Sequence, residues 1–534
     1  MLAAGPPESK AAPRATIGPR FDTVAEPTLR CRHPEDASNN PPAGDARPGS
    51  APTVLLREPA PSLVTPPSTG ARPRVAAVVL AAGLGTRMKS RTPKLLHPLC
   101  GRPMVAYVAD AARAASGSRP LVVTSPQTAE VREALGADAD FALQPDPRGT
   151  GDAVRVALAE LSEDVDEILV LNGDVPLLEA ELLTELLEER RLDEAAIALI
   201  AVDAIDPGNL GRVVRDDAGT VDRIVERKDA TDEEIAVNEI NSGLYVFDAA
   251  WLRGRIGSLS PSPKTGELYL TELVELARQD GRLVVALTVE DDGRLLGIND
   301  RAELAQAEWD LRTRINAGHM VEGVTMRDPS TVYLDSTVRL AQDVTLEPNV
   351  ILRGSTSVGE GTVIGAGSQI VDATIGSNCV VWASIVESST VEDGARIGPF
   401  SHLRPGSVVG PDAEVGNFAE LKNARLGRGV KQHHVSYLGD ADVGAGTNVG
   451  AGTITANYDG TSKHRTTIGE RVFLGVDTML RAPITLGDDA QTGAGAVVTK
   501  DVPAGKLAVG VPARIREPRR KSRPEVPADG ADGA

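Results

Sequence analysis

The 534-residue chain reads as an α/β domain with a mainly parallel sheet, followed by a parallel β-helix of hexapeptide repeats. Three observations predict this. From Arg74 to about Asp300, short apolar strands alternate with amphipathic helical stretches, the pattern of a sheet with helical connections. Beyond about residue 330 an apolar residue recurs every six positions, which fits neither a helix nor a simple two-faced strand. Between them, a connecting helix over 301–320 is predicted from Arg301-Ala-Glu-Leu-Ala-Gln-Ala-Glu-Trp-Asp-Leu311, which holds neither glycine nor proline.

Composition narrows the function classes. A formal charge of −19 argues against a general nucleic-acid surface, so any phosphate site must be a local basic pocket. Three scattered cysteines, Cys31, Cys100 and Cys379, are too few for a disulfide framework or a zinc site and fit a reducing cytoplasm. No apolar run approaches a membrane span, and the N-terminus lacks a signal-peptide core. Residues 1–72 are rich in proline and small residues without apolar periodicity, and are expected to be disordered. The aromatic content is 3%, so the cores must be aliphatic.

The α/β domain is expected over residues 73–300. Val75–Leu80, Pro120–Thr124, Glu167–Leu171 and Ala196–Val202 read as strands, and Val105–Ala115 and Glu179–Arg191 as helices. The first strand runs into Leu80-Ala-Ala-Gly-Leu-Gly-Thr-Arg-Met-Lys-Ser-Arg-Thr-Pro-Lys-Leu-Leu-His97. Gly83 and Gly85 leave main-chain N–H groups bare at the strand's end, a concavity suited to phosphate, and Arg87 and Lys94 add fixed positive charge. The spacing matches neither the dinucleotide fingerprint nor the Walker loop. Gln144 precedes Arg148-Gly-Thr-Gly-Asp-Ala153, where an amide and the Gly149-Thr150 backbone suit the edge of a base, or simply form a capped loop. In Leu169-Val-Leu-Asn-Gly-Asp-Val-Pro176, Asp174 stands at a strand mouth, placed either to hold Mg²⁺ or to cap the next helix.

The repeat is expected over 321–514. Its hexads run Val332, Val338, Val344, Val350, then Val358, Ile364, Ile370. They continue Ile385, Val391, Ile397, Leu403, Val409, Val415, Leu421, and resume at Ile468, Leu474, Leu480, Leu486. At roughly 18 residues per coil this predicts about nine coils, stacked at the strand spacing into a prism ~40–45 Å long. Polar residues break the register at Lys431-Gln-His-His-Val-Ser-Tyr-Leu-Gly-Asp440. A neutral imidazole there can take a proton from an amine, as acyl transfer to nitrogen requires. Arg404 and Lys422 lie 18 residues apart, one coil, and so share a face on which they can converge on one phosphate. Gly450-Ala-Gly-Thr-Ile-Thr-Ala-Asn-Tyr-Asp-Gly460 offers small residues for a narrow groove.

The Leu80–His97 stretch closely resembles the signature of sugar-phosphate nucleotidyltransferases. That resemblance implies a Rossmann-like domain in which Leu80, Ala81, Ala82 and Gly83 meet base and ribose. It puts Gly85, Thr86, Arg87 and Lys94 on the phosphates and Gln144, Gly149 and Thr150 on uracil, beside Asn172, Gly173 and Asp174. Asn299 joins Asp174 as the metal-side pair, and Gly211, Glu226 and Asn241 match the amino-sugar pocket of UDP-N-acetylglucosamine pyrophosphorylases. The β-helix segments resemble the acetyltransferase half of the bacterial bifunctional enzymes that convert glucosamine 1-phosphate to UDP-N-acetylglucosamine. By that resemblance the helix is left-handed, His434 is the general base, and Arg404, Lys422, Tyr437 and Asn448 hold the sugar phosphate. Ala451, Asn457, Tyr458 and Ala494 would line the acetyl-CoA groove, with UTP and acetyl-CoA as co-substrates and a homotrimer as the assembly. Val476 stands where a serine is common, Ala456 where a cysteine is frequent, and a usual arginine near Val511-Pro512 has no counterpart unless Arg514 serves. Residues 515–534 are expected to be a disordered tail. The rival reading is a single-activity nucleotidyltransferase whose β-helix only oligomerises.

Overall fold

The structure, a computed structural model, describes residues 73–83, 85–295 and 297–517. The expected disorder of residues 1–72 and of the end of the tail lies outside the described residues.

Seven strands form the backbone of the first domain: β1 (Val75–Leu80), β2 (Leu121–Thr124), β3 (Asp140–Leu143), β4 (Glu167–Asn172), β5 (Ile197–Asp203), β6 (Glu239–Asp248) and β7 (Val284–Glu290). Their order across the sheet is β7-β5-β6-β4-β1-β2-β3. All pairs are parallel except β6, which runs antiparallel to both β4 and β5. Helices α1 (Met104–Ser116), α2 (Thr150–Glu160) and α3 (Ala180–Leu192) connect the strands. Ala77 and Val79 bury on one side of β1 and Val78 on the other, because a parallel sheet is covered on both faces. The base of β4 is closed by an ion triad around a buried carboxylate, in which Glu167 accepts from Arg190 Nε and Arg191 Nε, each at 2.9 Å. A strand-end carboxylate with no access to water is tolerable only when paired in this way.

After α4 (Arg301–Val321) the chain winds into a parallel β-helix. Its three faces are sheets of 12, 10 and 9 strands, started by Thr325–Met326, Tyr333–Leu334 and Arg339–Leu340. The middle face, with 10 strands, gives one coil more than the hexad count predicts. Inward positions carry Val, Ile and Leu at nearly zero exposure, as one side chain per face must fill a prism without a second layer. Ile385 departs from the expected register: it is 40% exposed, and Val386 takes the inward place opposite Ile370. The cause is step length: from the inward Val386 to the inward Val391 is five residues rather than six, so a strict hexad counted back from Val391 lands one residue early, on Ile385. The last coil also extends further than expected. Arg514–Arg516 pairs antiparallel with Leu507–Val509, so the first residues assigned to the tail belong to the helix.

The two domains meet through α4 and the turn before α1. Asn316 donates to the carbonyls of Pro329 and Val332 at 2.9 and 3.1 Å, and the Arg312 guanidinium lies 4.0 Å over the Tyr333 ring, capping the open end of the prism. From the other side, the Ser336 N–H donates to the Cys100 carbonyl at 2.9 Å, and the Tyr107 and Ser336 hydroxyls lie 2.9 Å apart. Cys100 and Cys379 are both buried. Burial, with Glu308 nearby, pushes the Cys100 thiol up to about 12, so it stays protonated. Maleimide treatment of the native protein at pH 8 should therefore leave Cys100 and Cys379 unmodified by peptide mass mapping. Denaturant should expose both; native labelling at Cys100 would contradict this packing.

Candidate functional site

In the first domain the loops at the C-terminal ends of β1, β3 and β4 enclose a cleft of about 490 Å³. Open α/β sheets place ligands there because the strand-to-helix turns diverge at that end. Leu80, Ala82, Gly83, Gly85, Arg87, Lys94, Gln144, Gly149, Thr150, Asn172, Asp174 and Asn299 all line it. Ala81 and Gly173 stand behind the wall: Ala81 donates to the Val123 carbonyl at 2.9 Å and Gly173 to the Leu80 carbonyl at 3.0 Å. These two shape the backbone that carries the lining. Gly85 has φ +59°, and a Cβ there would come 2.3 Å from the Lys94 side chain, so the turn closes over this lysine only with glycine.

Lys94 is the hub. Its Nζ donates to Asp174 Oδ2 at 2.6 Å and to Asn299 Oδ1 at 2.9 Å, and an Arg87 guanidinium nitrogen donates to the same Asn299 oxygen at 2.7 Å. Residues more than 200 positions apart thus meet on one neutral amide oxygen through charge-assisted hydrogen bonds. A second cleft, of about 320 Å³, adjoins the first and shares Leu80, Arg87, Thr150, Asn172, Asp174 and Asn299 with it. It brings together Gly211, Glu226 and Asn241, with Tyr245 and Thr271 as further lining. Burial raises the Glu226 carboxyl above the usual range, partly offset by a hydrogen bond from Thr271. Asn241 N–H donates to the Gly211 carbonyl at 2.9 Å, which ties two of these residues to one edge.

In the β-helix, Arg404 pairs directly with Lys422, and Lys422 with Gly439, on three successive coils of the middle face. Tyr437 lies opposite Glu420 on the same face. A Cβ at Gly439 would come 2.3 Å from the Tyr437 hydroxyl and 2.8 Å from Asn457 Nδ2, so this bare position makes room for both groups. Asn457 and Asn423 each donate to Asp440, at 2.5 and 2.7 Å. Burial pushes the Asp440 carboxyl up, but these bonds and the nearby lysines outweigh it, and the group sits below the usual carboxylate range. Asn448 lies on the adjoining 12-stranded face, opposite Lys431.

His434 occupies the corner between these two faces, two residues beyond Gln432. Gln432 pairs with Val449, Val449 with Leu474, and Phe473 with Gln491 on successive coils. Ala451, Val476 and Ala494 therefore occupy the His434 corner on the next three coils, a track of about 14 Å at the strand spacing. The exposed His434 ring makes no hydrogen bond among the described residues, whereas His433 is held 2.8 Å from Glu414. Of the two rings, His433 is thus tied to a carboxylate and His434 is not. Within this chain, then, Ala451 and Ala494 stack on the histidine corner, while Asn457 lies with Tyr437 and Asp440 instead. Tyr458 projects into solvent on the excursion that follows Asn457, its hydroxyl donating to the Gly460 carbonyl at 2.6 Å.

Residues 77–236 match the family model of the MobA-like NTP transferase domain, and residues 355–386 and 465–500 that of the hexapeptide repeat of succinyl-transferase. The bifunctional protein GlmU of Rubrobacter xylanophilus is 46% identical over 439 residues, 82% of this chain and 93% of its own length. That of Kineococcus radiotolerans is 44% identical over 438 residues, 81% and 89% of the two chains. For Mycobacterium bovis the figures are 41% over 461 residues, 84% and 93%. The chain belongs to the bifunctional GlmU family. As in those GlmU relatives, the alignment runs through both domains.

One further cation stands beside Arg404 and Lys422. Lys463 returns on the excursion after Asn457, held by a bridge between Tyr458 and Lys463. Contact with Lys463 lowers Lys422 below the ordinary lysine range, and the charge of Arg404 adds to this. Three like charges held together are relieved by a bound anion. No period or motif announces Lys463; only the bridge places it. As for a divalent ion, Asp174 Oδ2 and Asn299 Oδ1 already converge on one cationic centre, the Lys94 ammonium. A carboxylate and an amide oxygen, completed by phosphates and water, are the hard donors Mg²⁺ takes, so the residues fit. Among the described residues no cluster of three or more acidic, histidine or cysteine side chains exists.

Proposed function

We propose that the clefts and charge clusters described above are the two active sites of an enzyme that makes UDP-N-acetylglucosamine in two steps. In the first, glucosamine 1-phosphate binds the β-helix with its phosphate among Arg404, Lys422 and Lys463, and its ring near Tyr437 and Asn448. His434 takes a proton from the amine, whose nitrogen attacks the thioester carbonyl of acetyl-CoA. The C–S bond breaks, and the departing thiolate receives the proton. The track of Ala451, Val476 and Ala494 keeps side chains short or apolar where the acyl-bearing arm would lie, while Asn457 and Tyr458, at the far end of the middle face within this chain, would meet acetyl-CoA away from that track.

In the second step, a phosphate oxygen of N-acetylglucosamine 1-phosphate attacks the α-phosphorus of UTP and pyrophosphate leaves. Glu226, Asn241 and Gly211 hold the sugar in the smaller cleft, and Gln144, Gly149 and Thr150 hold the base in the larger one. Arg87 lines both clefts, and Lys94 lines the larger one with its ammonium on Asp174 and Asn299, which line both; charge building on the transferring phosphoryl group would meet them there. Mg²⁺ held by Asp174 and Asn299 would neutralise and orient the triphosphate. The observation that carries the uridylyl-transfer half of this reading is the junction of two clefts on one Lys94–Asp174–Asn299 cluster; the acetyl-transfer half, which a purely oligomerising β-helix has no need of, rests on the Arg404–Lys422–Lys463 charge cluster.

We also assign a homotrimer and a cytoplasmic location. Among the described residues no helix is long and apolar enough to cross a membrane. Self-association is supported by a corner of the β-helix on which Phe400 and Phe418 are 60% and 62% exposed and stacked 5.6 Å apart, beside Trp382 and Val435. A contiguous aromatic ladder in water marks an interface. Phe418→Asp should convert the trimer to monomers in sedimentation equilibrium and weaken acetyl transfer more than uridylyl transfer. An unchanged sedimentation mass would remove this corner from the interface.

A further inference from the structure

Gln144 follows β3, and its main-chain N–H donates to the Thr124 carbonyl at 2.8 Å. The residue is 1% exposed yet lines the larger cleft. Its Nε2 donates to Asp152 Oδ2 at 2.8 Å and to the Gly149 carbonyl at 3.3 Å. Asp152, in the first turn of α2, is 3% exposed, and its other oxygen is paired with the Arg155 guanidinium. Both partners of Nε2 are pure acceptors, a carboxylate and a carbonyl. Only the NH₂ end of the amide can face them, since turning the amide over would set its oxygen against a buried carboxylate. The group left for the cleft is Gln144 Oε1, an acceptor.

We propose that Asp152 is a positioning residue that sets which bases the cleft accepts, by locking the Gln144 amide with its oxygen toward the base. This rests on the reading of Gln144 as the residue that faces the base. An acceptor held there pairs with the imide N–H of uracil or thymine. Cytosine presents a ring nitrogen lone pair at the same place, and the two acceptors repel. A site built to receive a donor rejects an analogue lacking it far more strongly than shape alone does. Arg155 keeps the carboxylate paired, so its buried charge is compensated from the side away from Gln144. An acid in a helix's first turn also favours the helix dipole. That structural role predicts a change in melting temperature but none in base choice, and so separates the two.

The test is steady-state pyrophosphate release from the full chain with UTP and with CTP, for wild type, Asp152→Asn and Gln144→Ala. In Asp152→Asn the near-isosteric amide can donate or accept, which frees Gln144 to turn. The ratio of kcat/KM for UTP over CTP should fall at least about tenfold, with the KM for the sugar phosphate and the acetyl-transfer rate unchanged. An unchanged ratio in a variant with the wild-type melting midpoint overturns the proposal. If Gln144→Ala leaves both the UTP constants and the ratio untouched, the base-facing reading fails and this inference falls with it. A ratio that drops in Gln144→Ala but holds in Asp152→Asn overturns only the role of Asp152. Should Asp152→Asn fail to fold, a UTP-bound structure of the wild type decides: Oε1 against the ring N–H supports the proposal, and Nε2 there overturns it.

Discussion

Asp174→Ala should lower uridylyl transfer by about three orders of magnitude while leaving acetyl transfer at the wild-type rate. Asp174 Oδ2 accepts from Lys94 Nζ at 2.6 Å, and Asp174 lines both clefts, so its removal acts twice. It takes away the only carboxylate of the proposed Mg²⁺ pair, and it frees Lys94 from one of the two oxygens that aim it at the phosphates. Removing one preorganised electrostatic group costs ~10²–10³ in rate, and loss of the ion's charge adds to that. Asp174→Asn keeps the shape and an oxygen donor but not the charge, and should fall between alanine and wild type. Excess Mg²⁺ should partly rescue the asparagine variant and not the alanine one. Pyrophosphate release followed at several Mg²⁺ concentrations checks this, and a loss that Mg²⁺ leaves unmoved in both variants would confine Asp174 to orienting Lys94.

His434→Ala should cost acetyl transfer about 10²–10⁴-fold, the usual worth of a positioned general base, and should not alter uridylyl transfer from preformed N-acetylglucosamine 1-phosphate. The loss should shrink as pH rises, because the free amine of the substrate then needs no protein base. His433→Ala serves as the control: it carries a neighbouring imidazole, but one bound 2.8 Å from Glu414, and should remain near wild type. Thiol release from acetyl-CoA between pH 6 and pH 9 measures both. If His433→Ala rather than His434→Ala lost activity, the assignment of the base would be reversed.

What was legible in the sequence follows from how locally each feature is encoded. The Val75–Leu80 strand and its Gly83–Gly85 turn lie in one contiguous run, so both the strand and the glycine turn at its end could be read. The hexads were equally plain, since one buried residue per face repeats without regard to what is far away. Arg404 and Lys422 could be paired from spacing alone because a coil has a near-fixed length. Where a step shortens, the hexad period no longer marks the inward residue, as at Ile385, displaced by Val386 because only five residues separate Val386 from Val391. Tertiary returns were invisible: Lys463 reaches Lys422 only through an excursion from the prism, with no periodic signal. The Gln144–Asp152 bond spans eight positions, yet which end of an amide it fixes depends on burial that sequence does not show. The docking of Tyr107 on Ser336 across 229 positions left no trace at all.

One chain is expected to carry two separable active sites. The most direct measurement supplies glucosamine 1-phosphate, acetyl-CoA, UTP and Mg²⁺ together and follows thiol and pyrophosphate release independently in the wild type, His434→Ala and Asp174→Ala. The expected result is that the wild type releases both, Asp174→Ala releases thiol alone, and His434→Ala releases neither until N-acetylglucosamine 1-phosphate is added, when pyrophosphate appears at the wild-type rate. If His434→Ala released thiol as fast as the wild type, or if the wild type released none, the β-helix would be a scaffold and the claim of two sites would be wrong.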